Sequence, residues 1–168
     1  MSIVWLLFLL IGLVAAAVDV LAFRVPNLAV LALCLLFVGV AVLRHHDVHW
    51  LNHLGAGAIS LVAGIVLYLF YHMGAGDAKL LAAYALWAGL GGLVPLLFWT
   101  AISGFFVMIL IVVLRRMMPA LQRAIPPLAK VELPKVLVKR QGIPLGAGIV
   151  FGAIIASPSF PPWLWQAL

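Results

Sequence analysis

Acid is scarce in this chain: 168 residues carry four Asp and Glu against ten Lys and Arg, and charged residues make up only 8%. With 67% hydrophobic residues, the chain has too little polar surface to clothe a soluble globule, and the composition implies an integral membrane protein. Cysteine is nearly absent as well. Cys34 alone excludes an internal disulfide and a cysteine-based zinc site, and it leaves the redox compartment open. Residues 1–10 contain no Lys or Arg, so the positive region of a secretory signal is missing, although Ala15-Ala16-Ala17 follows an apolar core. The first apolar run is therefore expected to stay in the mature chain.

What the chain has in abundance is long apolar runs. Reading them against breakers predicts spans near 2–22, 28–43, 54–71, 78–92, 96–114 and 143–160. Each is long enough to cross, or nearly cross, a hydrocarbon core of roughly 30 Å as a helix. The expected fold is all-α, a polytopic membrane bundle of about six helices forming one membrane-embedded domain over residues 1–168. The fourth and fifth spans are separated at Gly89, Gly91, Gly92 and Pro95, a cluster that reads as a tight turn between antiparallel helices.

Charge supports that split. Arg24, Lys79 and a basic loop over 115–141 then fall on one side and Arg44 alone on the other, which puts the first group in the cytoplasm and both termini outside. Basic residues of the loop are drawn to anionic headgroups by roughly 1 kcal/mol each. Membrane lipid is thus an expected partner. The net charge of +6 reads as orientation in the bilayer and not as a nucleic-acid footprint.

Against this apolar background, Asp19 ends the first span and Asp77 begins the fourth, at a matching depth near the cytoplasmic face. A carboxyl at membrane depth costs on the order of 2.5–3.5 kcal/mol, so such residues usually face a protein interior or a wet cavity. Two aspartates that approach each other share a proton, one serving as base toward water and the other as acid toward a carbonyl. That chemistry hydrolyses an amide with no metal and no cofactor. Gly74 and Gly76, just before Asp77, suit close backbone approach or positive φ. Pro26 suits a helix start, with Asn27 as a polar neighbour. Arg24 and Lys79 lie near the aspartates, as site cations or as anchors to lipid phosphate.

Asp19-x4-Arg24-x-Pro26-Asn27, followed by Gly74-x-Gly76-Asp77-x-Lys79, resembles the paired signature of the type IV prepilin peptidases, membrane aspartic proteases of the GxGD class. Ile143-Pro144-Leu145-Gly146-Ala147-Gly148-Ile149 is similar to the last conserved segment of that family, with Leu145 where an aromatic is common, so that the resemblance extends over nearly the whole chain. It implies that Asp19 and Asp77 are the catalytic pair. It also implies a bacterial inner-membrane, multi-pass enzyme that cuts the short basic leader from prepilins or pseudopilins at the cytoplasmic face. With Cys34 as its one cysteine the chain looks like the short form, similar to the peptidases of Flp-type tight-adherence pili, without the zinc-binding part associated with N-methylation. Presenilin and signal peptide peptidase share the class, but there a tyrosine precedes the first aspartate, where this chain has Val18.

Two other readings compete. A non-enzymatic transporter or assembly component would use Asp19 and Asp77 as proton or ion carriers, although transport sites tend to lie near the midplane. His45, His46, His49 and His53 have metal-compatible spacing if helical, but with only Asp47 beside them they are expected to form an interfacial loop. Trp50, Trp99, Trp163 and Trp165 are expected in the interface belts, and Gly55, Gly57, Gly64, Gly146 and Gly148 at close helix contacts.

Overall fold

The computed structural model describes residues 2–124 and 144–165. The expected loop over 115–141 lies largely outside the described residues, as does Ile143. Five helices account for most of the rest: α1 Ile3–Ala22, α2 Asn27–Leu43, α3 Trp50–Leu69, α4 Ala75–Ala124 and α5 Leu145–Ala156. Two short 3-10 turns follow, Ser157–Ser159 and Pro162–Leu164. Among the described residues there is no strand, as expected for a chain whose backbone groups must be satisfied within each apolar segment.

Three helical stretches are long and apolar enough to cross a membrane: Ile3–Ala22, Trp50–Leu69 and Ala75–Met118. Shorter apolar helices run over Asn27–Leu43 and Leu145–Ser159. The 44 residues of the third stretch would reach about 66 Å as a straight helix, twice the hydrocarbon core. They do not run straight. Gly89 adopts φ 64, ψ 177, and divides α4 into arms over 75–88 and 90–124. Contacts with α5 fix the relation between the arms. Gly152 meets Thr100, Gly148 meets Gly104, and Phe160 meets Gly92, so the second arm is antiparallel to α5. Along the first arm Asp77 is reached by the Gly146 backbone and Trp87 stacks on Trp165, a parallel course. The two arms are therefore antiparallel. The sequence places this turn in a cluster of glycines and Pro95; the structure uses Gly89, the glycine at positive φ.

A turn of this kind strands backbone groups inside an apolar bundle. At Gly89 the Leu90 N–H leaves the helical ladder and donates to Asn52 Oδ1 at 3.0 Å. The Leu86 carbonyl, its partner in a regular helix, meets His53 Nδ1 at 2.8 Å, which requires the tautomer with a proton on Nδ1. Two successive residues of α3 thus satisfy both halves of one broken helical hydrogen bond, each half worth about 1–3 kcal/mol if left unmade. This corrects the reading of the histidine cluster. His49 precedes α3, and His53 is 1% exposed within it, its ring 5.2 Å from Phe37 and 5.4 Å from Trp163.

Tryptophans 163 and 165 are partly buried and packed on the core. Trp165, Trp87, Phe8 and Phe160 stack or meet edge-on at one end of the bundle, where Trp87 Nε1 donates to the Leu33 carbonyl. At the other end the helices approach through small residues. A Cβ on Gly148 would lie 2.6 Å from Gly104 Cα, and one on Gly64 2.7 Å from Ala78 Cβ.

Replacing Gly89 by alanine would force a side chain into that backbone conformation and to within 3.0 Å of Asn52 Nδ2. We expect Gly89→Ala to cost about 1–3 kcal/mol, read as a melting midpoint in detergent lowered by roughly 2–4 °C per kcal/mol. Melting indistinguishable from wild type would remove the turn's dependence on glycine.

Candidate active site

The end of the bundle opposite the aromatic cluster gathers Asp19 and Asp77. Asp19 stands in the last turn of α1 and is 5% exposed. Its backbone carbonyl closes the helix by accepting from the Phe23 N–H at 2.8 Å, with Phe23 left-handed at φ 53. Its side chain looks away from α1 toward the start of α5. Oδ2 accepts from the Ala147 N–H at 3.3 Å, and the Gly146 backbone also addresses it. These are free amides of a helix N-terminus, the natural partners of a carboxylate. Gly146 has to lack a side chain here, because a Cβ would lie 2.7 Å from Asp19 Oδ2 and 3.0 Å from Val25 Cγ2. The sequence reading assigns this glycine to helix packing; the structure puts it against a carboxylate.

Asp77 is the third residue of α4, which starts at Ala75, three positions earlier than the span boundary at 78 read from hydropathy. Oδ2 accepts from the Gly74 N–H at 3.3 Å, the back-reaching bond of an acidic residue in a first helical turn. Oδ1 is buried with no hydrogen-bond partner. Gly74 and Gly76 both serve close approach, and neither has positive φ. A Cβ on Gly74 would press on Asp77 Oδ2 at 2.9 Å, and one on Gly76 on Val25 Cβ at 3.0 Å.

The two carboxyls line one cavity of about 290 Å³ and act on each other electrostatically. The Gly146 backbone reaches both. Arg24, Asn27 and Lys79 are exposed on the same cavity, together with Gly74 and Gly76. Pro26 does not line it; extended at φ −69, it caps α2 and so sets the course of the connection from Phe23 to Asn27. All the residues singled out around Asp19 and Asp77 except Pro26 are thus brought to one place.

A second cavity of about 350 Å³ shares Gly74 and Asp77 with the first and is lined also by Tyr68, Tyr71, His72 and Leu145. Among the described residues only Phe23 and Tyr71 are non-glycine residues at positive φ, 53° and 59°. That geometry costs roughly 1–2 kcal/mol for an L-residue. One stands at each cavity. Residue type gives no sign of such backbone conformations, which is why sequence reading passes over both, whereas the Gly146-x-Gly148 pair after Pro144 does signal a close approach.

A model of the type IV leader peptidase family matches residues 6–112. The chain belongs to that family. No curated protein and no solved structure matches it significantly. The leader peptidase family match contains both aspartates and the turn at Gly89, and it ends before α5, which supplies the amides on Asp19. Membership makes the chain a membrane peptidase related to the enzymes that remove prepilin leaders.

In a leader peptidase built this way, a methyl group on residue 146 would displace the Asp19 carboxyl by a large fraction of an ångström. Gly146→Ala is expected to lower leader processing about 100-fold with melting close to wild type, as read by gel mobility of a co-expressed prepilin. Full processing would detach α5 from the site.

Proposed function

We propose that this leader peptidase is an aspartic endopeptidase with Asp19 and Asp77 as its catalytic pair. Its substrates are type IV prepilins or pseudopilins of the Flp-like kind, cut after a short basic leader at the cytoplasmic face of the bacterial inner membrane. The observation that carries this reading is the convergence of the two carboxyls on one polar cavity, with Asp77 Oδ1 uncommitted to any protein donor.

Asp77 takes a proton from water as the water oxygen bonds to the scissile carbonyl carbon, and Asp19 gives its proton to the carbonyl oxygen. A neutral tetrahedral diol results. Its collapse returns one hydroxyl proton to Asp19, breaks the C–N bond, and sends the proton on Asp77 to the leaving nitrogen. Because the carboxyls interact, they titrate as a pair, and the roles belong to that pair. The amides of Gly146 and Ala147 hold Asp19 in place throughout. Neither metal nor cofactor is required.

We read the chain as one membrane-embedded domain with six crossings, the arms of α4 forming two of them, and with both termini outside. Arg24, Lys79, Arg115 and Arg116 then share the cytoplasmic side with the aspartates, which agrees with the positive-inside rule. Arg24 and Lys79 form the basic rim of the site, and Pro26, Asn27, Gly74 and Gly76 shape it.

Asp19→Asn and Asp77→Asn keep side-chain size and insertion but remove the shared proton. Each is expected to reduce processing of a co-expressed prepilin by at least about 10³-fold, the scale lost with a general acid or base. Wild-type processing by either variant, with both still in the membrane fraction, would favour instead a carrier of protons or ions.

A further inference from the structure

The two cavities that meet at Asp77 differ in chemistry. One carries Arg24 and Lys79. The other carries Tyr68, Tyr71 and His72 and, among the described residues, no lysine or arginine. Tyr71 is unusual on two counts. It is 98% exposed, so the fold of the single chain gains nothing by burying its ring. It also occupies the left-handed position of a helix end in which the His72 N–H reaches the Leu67 carbonyl and the Tyr71 N–H reaches the Tyr68 carbonyl, both at 2.9 Å. Glycine is the usual occupant of that position. A strained, exposed aromatic beside a reacting carboxyl points to contact with something outside the chain.

From this we infer that the cavity formed by Tyr68 and Tyr71 is the subsite for the cationic flank of the substrate. The inference rests on the leader-peptidase reading and adds a direction to it. A basic leader approaching Asp77 from the side of Arg24 and Lys79 meets like charge. From the second cavity it meets two tyrosines, and cations bind aromatic rings through the ring quadrupole. Gly74 and Asp77, common to both cavities, mark where the chain of the substrate passes from one to the other. The positive rim thereby excludes the leader from one side, and the aromatic rim receives it on the other.

The test uses the full-length protein in vesicles with two pilin-like substrates, one with a leader of lysine and arginine and a twin with glutamine at those positions. Tyr68→Leu with Tyr71→Leu keeps apolar bulk and removes the π faces. It is expected to raise KM for the cationic leader about two- to fivefold per ring, to leave kcat unchanged, and to leave the glutamine twin unaffected. Tyr68→Phe with Tyr71→Phe restores wild-type KM. If the leucine pair melts early, Tyr71→Gly, which suits the left-handed backbone, is the second variant and is expected to raise KM by the share of one ring. Equal losses on both substrates, as from a lipid-anchoring role, or no loss on either, overturn the subsite while the wild type still cuts. A wild type that cuts neither substrate, matching an Asp77→Asn control, overturns the peptidase reading and the subsite with it.

Discussion

Two carboxyls set among apolar helices must be solvated by something, and in this bundle the solvent is backbone. Asp19 is held by an amide of α5 and Asp77 by an amide just ahead of α4, with the Gly146 backbone near both. Main-chain donors reach a side chain only if the chain comes very near. The glycines at 74 and 146, where a Cβ would press on a carboxyl oxygen, are therefore part of the electrostatics and not only of the packing. An alcohol or amide side chain could have done the same work, but each would add a polar group to satisfy in lipid.

The rest of the bundle keeps that convergence in register. Gly89 folds α4 back on itself, so that α5 lies against both arms, gripping the second through Gly148 and Gly152 and reaching the carboxyls with its first residues. Asn52 and His53 complete the broken ladder at the turn, and α3 thereby fixes the far end of the arm that carries Asp77. At that end the aromatic cluster around Phe8 and Trp87 ties α1 to the same arm. Asp19 and Asp77 are thus the near ends of two rods pinned at the far end.

Much of this was legible in the residues. Acid inside apolar runs is rare enough that Asp19 and Asp77 stood out, and their charged neighbours gave the side of the membrane on which to expect them. The helical class and the break in the long apolar run followed from composition and from the glycine cluster. Which glycine turns the chain was not legible, because position in a cluster says nothing of φ. His53 was misread because a cluster of histidines between apolar runs has no sign of its burial; only the partner carbonyl, 33 residues on, explains it. Phe23 and Tyr71 were missed for a similar reason, since a strained backbone leaves no mark on the residue type.

The position of α5 in the chain has a consequence for how the protein is made. Its residues are synthesised after every other helix described, yet its first amides are the donors that Asp19 needs. A nascent chain with the first four helices inserted holds both acids but not the groups that aim the first of them. On the reading that Asp19 is catalytic, hydrolytic competence would arrive only with α5, the last of the helices described.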